Sequence, residues 1–371
     1  MRIKRFCAEN FRNIEKCDIS FLPGVNLLYG NNAQGKTNAV EGIYVFARGK
    51  SFRASDDREL CGFGKEGFRI YIEYEDSDGS GTLEYARYGR ERRRRKNGYN
   101  LKSVKEMLGS FRAVLFYPDD LALVKDSPEE RRSFLNVAIS QCYPVYIDDY
   151  SRYKIALENR NCLLKSASKG GYVDDGELVS WSRSMAEYAA SIYVKRKEYI
   201  KKLEIYSNAV IKYMSGGKEE ISLSYKSDID GEPEDIREIR EQYFDVLTRE
   251  LARERIVGTS LYGPHRDDME IIINGVSARS YASQGQQRSL ALALKLAEGE
   301  VCREVCGEYP VFLFDDVLSE LDAERREYVL SDVGEKQIII TSCERDFGMI
   351  PASKVIEVSG GEYRISDVSG G

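Results

Sequence analysis

The sequence predicts an α/β fold that a helical insertion divides into two parts. An apolar stretch at 25–29 runs directly into a glycine-bounded loop and a helix over 35–48, as expected for a strand, a turn and a crossover helix. A second apolar stretch, 311–314, lies far downstream and ends in two aspartates. Between the two, from Ser127 onward, apolar residues recur mostly at helical spacing.

The amino-terminal part is predicted to consist mostly of strands. Apolar patterns mark these strands at 3–8, 17–21, 25–29, 68–74 and 82–88. A basic run follows, made of Arg92, Arg93, Arg94, Arg95 and Lys96. Asn97-Gly98 comes next, and this dipeptide is typical of a tight turn between two strands. The basic run is therefore predicted to lie in a hairpin.

The central part is predicted to be helical. Ser127-Pro128-Glu129-Glu130 predicts a capping box with proline in the first turn, and Pro144 interrupts the helix that follows. After a second helix, a glycine- and aspartate-rich loop at 169–176 reverses the chain. The return stretch carries one apolar face, formed by Leu178, Trp181, Met185, Tyr188, Ala189, Ile192 and Tyr193. At 1.5 Å per residue the arm is about 35 Å long, which is short for a coiled coil.

The carboxyl-terminal part returns to an α/β pattern. The predicted elements are a helix at 233–255, a strand at 269–273, a helix at 286–305 and strands at 311–314, 337–341 and 354–358. These patterns assign 1–118 to the amino-terminal part of an α/β head, 119–258 to a helical arm and 259–371 to the carboxyl-terminal part of the head.

The composition bounds the class of protein. A chain of 371 residues with 42% apolar residues can bury a large core, and its net charge of −6 requires any nucleic-acid binding to use a local basic patch. The cysteines lack paired CxxC spacing, which argues against a zinc site. The amino terminus lacks the apolar core of a secretory signal, and no run approaches the roughly 18 apolar residues that span a bilayer. We therefore expect a cytoplasmic protein without membrane contact.

The first motif that carries chemistry is a phosphate-binding loop (P-loop) between the strand at 25–29 and its helix. Its residues are Gly30, Asn31, Asn32, Ala33, Gln34, Gly35, Lys36 and Thr37. The glycines let backbone N–H groups surround phosphates, and the helix N-terminus adds positive potential. Lys36 is predicted to reach the β- and γ-phosphates of ATP, and the Thr37 hydroxyl to ligate Mg²⁺.

A second motif supplies carboxylates. The apolar strand at 311–314 ends in Asp315 and Asp316, as in a Walker B element. Asp315 is predicted to hold Mg²⁺ through water, and Asp316 to orient or deprotonate the attacking water. P-loop kinases and GTPases keep the two motifs close together, whereas here they lie near opposite ends of the chain.

A third motif lies at the start of the helix at 286–305. It contains Ser283, Gly285 and Gln286, and a serine hydroxyl, a glycine and a helix N-terminus together suit a sensor of the γ-phosphate. A signature segment between a P-loop and a distant Walker B strand is typical of ABC and SMC ATPases. The predicted fold class is therefore an α/β, ABC/SMC-type P-loop ATPase head split by a helical arm insertion.

Motifs along almost the whole chain resemble those of the RecF family of bacterial DNA replication and repair ATPases. Besides the P-loop, the matching stretches are 10–13, 50–53, 116–121, 127–132, 263–268, 282–289 and 315–322, the last including a D-loop. The resemblance implies a head-to-head, ATP-dependent homodimer in which each ATP lies between the P-loop of one subunit and the signature of the other. It also implies backbone-mediated binding to double-stranded and gapped DNA at the nucleoid, where RecO and RecR help to load RecA and support the SOS response.

Two departures from the general ABC pattern bear on activity. Asp316 stands where a glutamate is usual, and Ser342-Cys343 stands where many relatives carry a switch histidine. A shorter base without the histidine predicts slow hydrolysis. We expect weak, DNA-stimulated ATPase activity in which hydrolysis serves as a switch and a release timer.

Several residues are compatible with two roles. Arg12 suits a phosphate contact from the first strand turn and equally a surface charge, as do Lys50 and Arg53. The run from Arg92 to Lys96 suits contacts with DNA phosphates or a solvated hairpin tip. His265 suits a place beside the nucleotide or in a lid, and equally a plain loop position.

Two other functions use the same P-loop chemistry, and the sequence disfavours both. An SMC-like structural ATPase that tethers chromosomes would require a much longer coiled coil than the predicted arm. A P-loop kinase acting on a small molecule would keep its motifs closer together and would yield a phosphorylated product.

Overall fold

The computed structural model of the chain describes residues 1–231, 233–331, 333–344 and 352–366. Its strands are β1 (Arg2–Phe11), β2 (Ile14–Ser20), β3 (Gly24–Tyr29), β4 (Gly67–Asp76), β5 (Gly79–Tyr88), β6 (Glu91–Lys96), β7 (Tyr99–Asn100), β8 (Ala113–Phe116), β9 (Ile221–Lys226), β10 (Asp268–Ile273), β11 (Val276–Ser277), β12 (Val311–Asp315), β13 (Gln337–Ser342), β14 (Lys354–Ser359) and β15 (Glu362–Ser366). Its helices are α1 (Lys36–Arg48), α2 (Ala122–Lys125), α3 (Pro128–Cys142), α4 (Pro144–Ala167), α5 (Asp175–Met214), α6 (Ile236–Arg249), α7 (Leu251–Val257), α8 (Ala278–Tyr281), α9 (Gln284–Cys306) and α10 (Ala323–Ser331).

These elements form two compact units. Unit 1 comprises Met1–Leu121, Ala209–Lys218 and Arg288–Gly371, and unit 2 comprises Ala122–Asn208 and Glu219–Gln287. The sequence interpretation assigned 259–287 to the head, whereas these residues cluster within unit 2. The physical reason is β9, a strand that the sequence analysis did not predict, because β10 pairs with it in antiparallel register.

Unit 1 contains two six-stranded sheets. One is antiparallel, in the order β2-β1-β4-β5-β6-β7, and the other has the order β15-β14-β3-β13-β12-β8, with only β15 antiparallel to its neighbour. Helix α1 is buried from Ala39 to Ala47, and its apolar side chains pack in one core with residues of both sheets. A Cβ atom at Gly42 would lie 2.6 Å from Cζ of Phe6, so glycine permits this close packing.

The other side of the parallel sheet packs in a second core. Side chains of β12 and β13 pack there with Leu292 of α9 and with Val329 and Leu330 of α10. The carboxyl ends of β3, β13 and β12 lie side by side, because these strands are parallel neighbours. Loops that follow parallel strands at such an edge are where α/β folds bind ligands.

Unit 2 is mainly helical around the three-stranded sheet β11-β10-β9. The predicted break at Pro144 is confirmed, since α4 begins there, but the predicted capping box is wrong. The Ser127 side chain makes no cap hydrogen bond, because the Glu130 N–H donates to the Ser127 backbone carbonyl instead. The return helix α5 has 40 residues, about 60 Å at 1.5 Å per residue, which is longer than the predicted arm, and its residues up to Asn208 belong to unit 2. Among the described residues, no helix combines the length and apolar character needed to cross a membrane.

Candidate nucleotide-binding site

The P-loop connects β3 to α1 at the carboxyl edge of the parallel sheet. Gly30 and Gly35 have φ angles of 156° and 118°, a conformation that residues with a Cβ rarely adopt. A Cβ atom at Gly30 would also lie 2.2 Å from the carbonyl oxygen of Val358. The Gly30 N–H donates to the Ser342 carbonyl at 3.1 Å. Backbone geometry and close packing therefore both require glycine where the loop begins.

The remaining loop residues are tied to neighbouring segments of unit 1. Asn13 donates through its amide to the Ala33 carbonyl at 3.1 Å, and the Gly360 N–H donates to Oε1 of Gln34 at 2.6 Å. The hydroxyl of Tyr363 donates to the Gly35 carbonyl at 2.8 Å. No local sequence signal identifies Tyr363, because its contact depends on the pairing of β15 with β14 and of β14 with β3.

Lys36 is buried, with 3% of its surface exposed. Its ammonium donates to the carbonyl oxygens of Gly30 at 2.7 Å and Asn31 at 3.1 Å. It also lies 3.7 Å from the thiol of Cys343, which donates to Oδ1 of Asn32 at 2.9 Å. Within the described residues Lys36 forms no salt bridge, so a buried cation faces the loop without a counter-charge.

Asp315 ends β12 and meets the P-loop helix. Its Oδ1 atom accepts hydrogen bonds from the hydroxyls of Thr37 at 2.9 Å and Thr341 at 2.8 Å. Burial raises the pKa of the Asp315 carboxyl above its usual value, and the two hydroxyls oppose this rise. A buried carboxylate and a hydroxyl at this distance are the oxygen ligands that Mg²⁺ takes in phosphate sites, so the donor set fits that ion.

Asp316 follows in an uncommon backbone conformation. Its φ angle is 55°, a left-handed value that costs a non-glycine residue energy. Its N–H donates to the Thr341 hydroxyl at 2.9 Å, and its carbonyl accepts from the hydroxyl of Ser319, in the predicted D-loop, at 3.0 Å. Asp316 is only partly buried, so its side chain is accessible beside Asp315.

Arg12 is held by a buried acid on α1. Its guanidinium donates to both carboxylate oxygens of Glu41, at 3.0 and 2.7 Å, and to the Glu59 carbonyl at 2.8 Å. Glu41 is fully buried and also accepts from the Ser51 hydroxyl at 2.5 Å. Arg53 lies 3.6 Å from Glu41. Glu41 was not predicted from the sequence, although a lone acid among the apolar residues of α1 is a signal for such a role.

The predicted signature caps α9 at its first residues, which belong to unit 2. The Ser283 N–H donates to Oε1 of Gln286 at 2.9 Å, and the Gln286 N–H donates to the Ser283 hydroxyl at 3.3 Å, which is a capping box. The Gln286 amide donates to Glu219 at 2.7 Å. Ser283 is exposed, and a Cβ atom at Gly285 would meet nothing within 4 Å. The segment therefore presents an open helix N-terminus.

The basic run occupies β6, and the predicted turn at 97–98 is confirmed. Its arginines have partners within unit 1. Arg92 is 2.8 Å from Asp57, Arg93 is 3.9 Å from Glu91, Arg94 lies over the ring of Tyr85, and Arg95 is 3.6 Å from Glu84. These contacts offset part of the charge, while Arg92 and Arg93 keep side-chain exposures of 50% and 46%.

Comparison with known sequences gives matches over nearly the full chain. The family profile described as RecF/RecN/SMC N terminal domain matches residues 2–366. The DNA replication and repair protein RecF of Exiguobacterium sp. is 38% identical, over 99% of this chain and 100% of the relative. The protein of the same name from Halalkalibacterium halodurans is 36% identical, over 93% of this chain and 94% of the relative.

Comparison with solved structures gives the same likeness. A structure of the recombination mediator protein RecF–ATPrS in the RecFOR pathway has a TM-score of 0.92 and 35% identity, covering 98% of each chain. The corresponding RecF–ATP structure also has a TM-score of 0.92 and 35% identity, covering 98% of this chain and 97% of that one. These likenesses confirm the predicted fold class, an α/β head of the SMC type with a long helical insertion.

Proposed function

This chain belongs to the RecF family, and from that premise we propose that it is an ATP-binding recombination mediator acting in the RecFOR pathway of DNA replication and repair. Family membership supports the role in repair, and the observation that carries the ATP-binding part is the 2.9 Å hydrogen bond between Thr37 and Asp315. It brings together two motifs from opposite ends of the sequence, as a magnesium-nucleotide site requires.

ATP would be held by the P-loop. Backbone N–H groups from Gly30 to Thr37 would surround its phosphates, and the Lys36 ammonium would exchange its carbonyl partners for phosphate oxygens. Thr37 and Asp315 would hold Mg²⁺, with Asp315 acting through water. When bound, Mg²⁺ neutralises charge on the phosphates. Arg12 would add a phosphate contact if its guanidinium turned from Glu41 towards the nucleotide.

Asp316 is proposed as the group that orients or deprotonates the attacking water. Its partly exposed side chain lies next to Asp315, which supports this role. Aspartate is one methylene shorter than the usual glutamate, and a thiol rather than an imidazole follows β13. Both features favour slow hydrolysis. We therefore propose a weak, DNA-stimulated ATPase in which hydrolysis releases the complex from DNA.

The nucleotide is proposed to lie between two copies of the chain. The exposed, capped N-terminus at Ser283 can donate hydrogen bonds to a γ-phosphate held by the partner's P-loop. Ser283→Arg should bind ATP with an affinity near that of the parent, because its own P-loop is intact, and should lose ATP-dependent pairing, because the bulky cation obstructs the partner's nucleotide. Sedimentation with and without ATP measures pairing, and Ser80→Arg, at an exposed hairpin, is the control.

A linked dimer makes this prediction sharper. One half carries Lys36→Met, which should abolish tight ATP binding, and the other half carries Ser283→Arg. The linked chain keeps one intact P-loop opposite one intact signature, so it should recover part of the ATP turnover that each unlinked variant lacks. The control is a linked dimer of two parent chains. If this control turns over ATP and the linked dimer with Lys36→Met in one half and Ser283→Arg in the other does not, a shared site is excluded. Formation of a phosphorylated small molecule during turnover would favour the kinase alternative.

DNA is proposed as the macromolecular partner, bound through its backbone at double-stranded and gapped sites in the cytoplasmic nucleoid. RecO and RecR are proposed to act with the chain in loading RecA and in supporting the SOS response. Family membership supports these partners. The run from Arg92 to Lys96 is proposed to contact DNA phosphates, which is supported by the exposure of Arg92 and Arg93 in an acidic protein.

Changing Arg92→Glu together with Arg93→Glu tests the DNA surface. The affinity for DNA should fall, and the slope of log affinity against log salt should flatten by about 0.9 for each phosphate that the protein no longer neutralises. Fluorescence anisotropy over a salt series measures both. Arg237→Glu with Arg240→Glu, on the exposed side of α6, is the matched control. If the slope stays at the parent value, the run is a solvated hairpin.

A further inference from the structure

The carboxyl end of β13 contacts three parts of the nucleotide site. β13 lies between β3 and β12 in the parallel sheet, so its last residues reach both the P-loop and the Walker B acids. The Ser342 carbonyl accepts from the Gly30 N–H at 3.1 Å, and the Cys343 thiol contacts Asn32 and Lys36. Thr341 contacts the third part, which consists of Asp315 and Asp316.

Thr341 joins the two acids through one hydroxyl. Its side chain is buried, with 1% of the residue exposed. The hydroxyl donates to Oδ1 of Asp315 at 2.8 Å and accepts from the Asp316 N–H at 2.9 Å. A hydroxyl has one hydrogen and two lone pairs, so the donor is used on the Asp315 side chain and one lone pair on the Asp316 backbone.

This second hydrogen bond restrains a strained position. Asp316 has a φ angle of 55°, a left-handed conformation that costs a non-glycine residue about 1–2 kcal/mol. Strained residues persist only where their surroundings fix them. Without the Thr341 hydroxyl, the Asp316 N–H would lose the oxygen to which it donates. The backbone of Asp316 would then be free to relax to negative φ. Such a relaxation would turn the Asp316 carboxylate away from its present position beside Asp315.

We propose that Thr341 is a positioning residue of the ATPase site, which fixes the Asp315 carboxylate and the Asp316 backbone relative to each other. This inference rests on the proposed ATP site. Thr341 acts through the two aspartates and does not itself contact the nucleotide in this proposal. Its hydroxyl sets the orientation of the Asp315 carboxylate, which would hold Mg²⁺, and the direction of the Asp316 side chain.

Thr341→Val and Thr341→Ala remove the hydroxyl, and Thr341→Ser keeps it. The first two should bind an ATP analogue without Mg²⁺ as the parent does, because the P-loop is untouched. Mg²⁺ raises the affinity for the analogue, and these variants should need about tenfold more Mg²⁺ to reach half of that increase. Their kcat for ATP should fall about tenfold or more. Loss of one well-placed hydrogen bond corresponds to about this factor. Thr341→Ser should restore both quantities. Thr82→Val, on a β5 strand position away from the site, is the matched control.

Equilibrium binding over a Mg²⁺ series separates this inference from a general loss of stability. Two removal variants are used because a valine methyl against Asp315 could itself perturb folding, whereas alanine leaves space. If either folded removal variant keeps both the parent Mg²⁺ dependence and the parent kcat, the inference is overturned. If Lys36→Met binds the analogue as tightly as the parent, the proposed ATP site fails instead, and the role of Thr341 fails with it.

Discussion

Buried charges are treated differently in the polar core of unit 2 and at the P-loop of unit 1. In unit 2, Arg160 is completely buried and lies 2.6 Å from the carboxylate of Glu254. The Arg160 guanidinium also donates to the hydroxyls of Ser182 and Ser260 and to the Leu247 carbonyl, at 2.7 to 3.0 Å. In unit 1, Lys36 and Asp315 are nearly as buried, yet neither forms a salt bridge within the described residues.

The stretch at 263–268, for which the sequence predicts no single function, belongs to the same polar core of unit 2. Arg196 donates to the Pro264 carbonyl at 2.6 Å, and the Tyr225 hydroxyl donates to Asp267 at 2.5 Å. His265 accepts from the Tyr153 hydroxyl at 2.6 Å when it carries its proton on Nε2. Burial lowers the pKa of His265 to about 4. The stretch is therefore tied into the polar core of unit 2, in the plain loop role that the sequence left open.

The difference teaches how to separate a structural charge from a functional one. A buried charge with a complete set of internal partners has its desolvation offset within the fold. A buried charge without a counter-charge lowers the free energy of unfolding, and such charges are common at sites that bind a ligand. Removing a buried charge should therefore change the free energy of unfolding with opposite signs in the polar core of unit 2 and at the P-loop of unit 1.

Arg160→Leu should give the largest effect. It leaves Glu254 buried without its cation, and breaking a buried pair by removing one partner costs about 3–5 kcal/mol of unfolding free energy. The chain has one tryptophan, Trp181 in unit 2, so its fluorescence during urea denaturation follows this unit. Arg237→Leu, an exposed arginine of α6, should change the unfolding free energy by less than about 0.5 kcal/mol.

The double variant Arg160→Leu with Glu254→Leu sharpens this test. Replacing both partners by apolar groups removes the orphaned charge, so a large part of the lost stability should return. If Arg160→Leu unfolds at the parent's urea concentration, the pair is not an internal support of unit 2, and the contrast between the units fails.

Local patterns predicted the elements of the site, because they depend on neighbours in sequence. The strand at 25–29, the glycines of the loop and the start of α1 follow from apolar runs and from backbone geometry that glycine alone adopts easily. The break at Pro144 follows from the missing N–H of proline. Each of these features is encoded within a few residues.

The partners of those elements could not be predicted, because they depend on strand order. Thr341 contacts the acids only because β13 lies between β3 and β12, and no spacing in the sequence states that order. Glu41 gains its role from Arg12, which lies in the turn after β1. Likewise, 259–287 belong to unit 2 because β10 pairs with β9. Strand β9 was not predicted, and it lies about 40 residues before β10 in the sequence.

Asp315→Asn should have a smaller effect of the opposite sign. The amide keeps an oxygen that accepts from Thr37 and Thr341, while the charge, whose burial raises the pKa of the Asp315 carboxyl, is removed. The metal-free, nucleotide-free protein at pH 7 should therefore gain on the order of 1 kcal/mol, as is common where a functional site trades stability for activity. Scanning calorimetry in chelator measures the change, and ATP turnover should be lost.

Asp268→Asn is the matched control, because this aspartate also lies at a strand end but has a cation. Arg131 lies 2.7 Å from it and has only 4% of its side chain exposed. Neutralising Asp268 leaves that guanidinium without its counter-charge, and unit 2 should lose about 1–3 kcal/mol. The two substitutions remove the same charge from the same residue type. A difference in the sign of their effects on the free energy of unfolding must therefore come from the surroundings of the two aspartates. If both variants lose stability, then Asp315 is held by its hydroxyl donors as firmly as Asp268 is held by Arg131, and an absent counter-charge no longer identifies the nucleotide site.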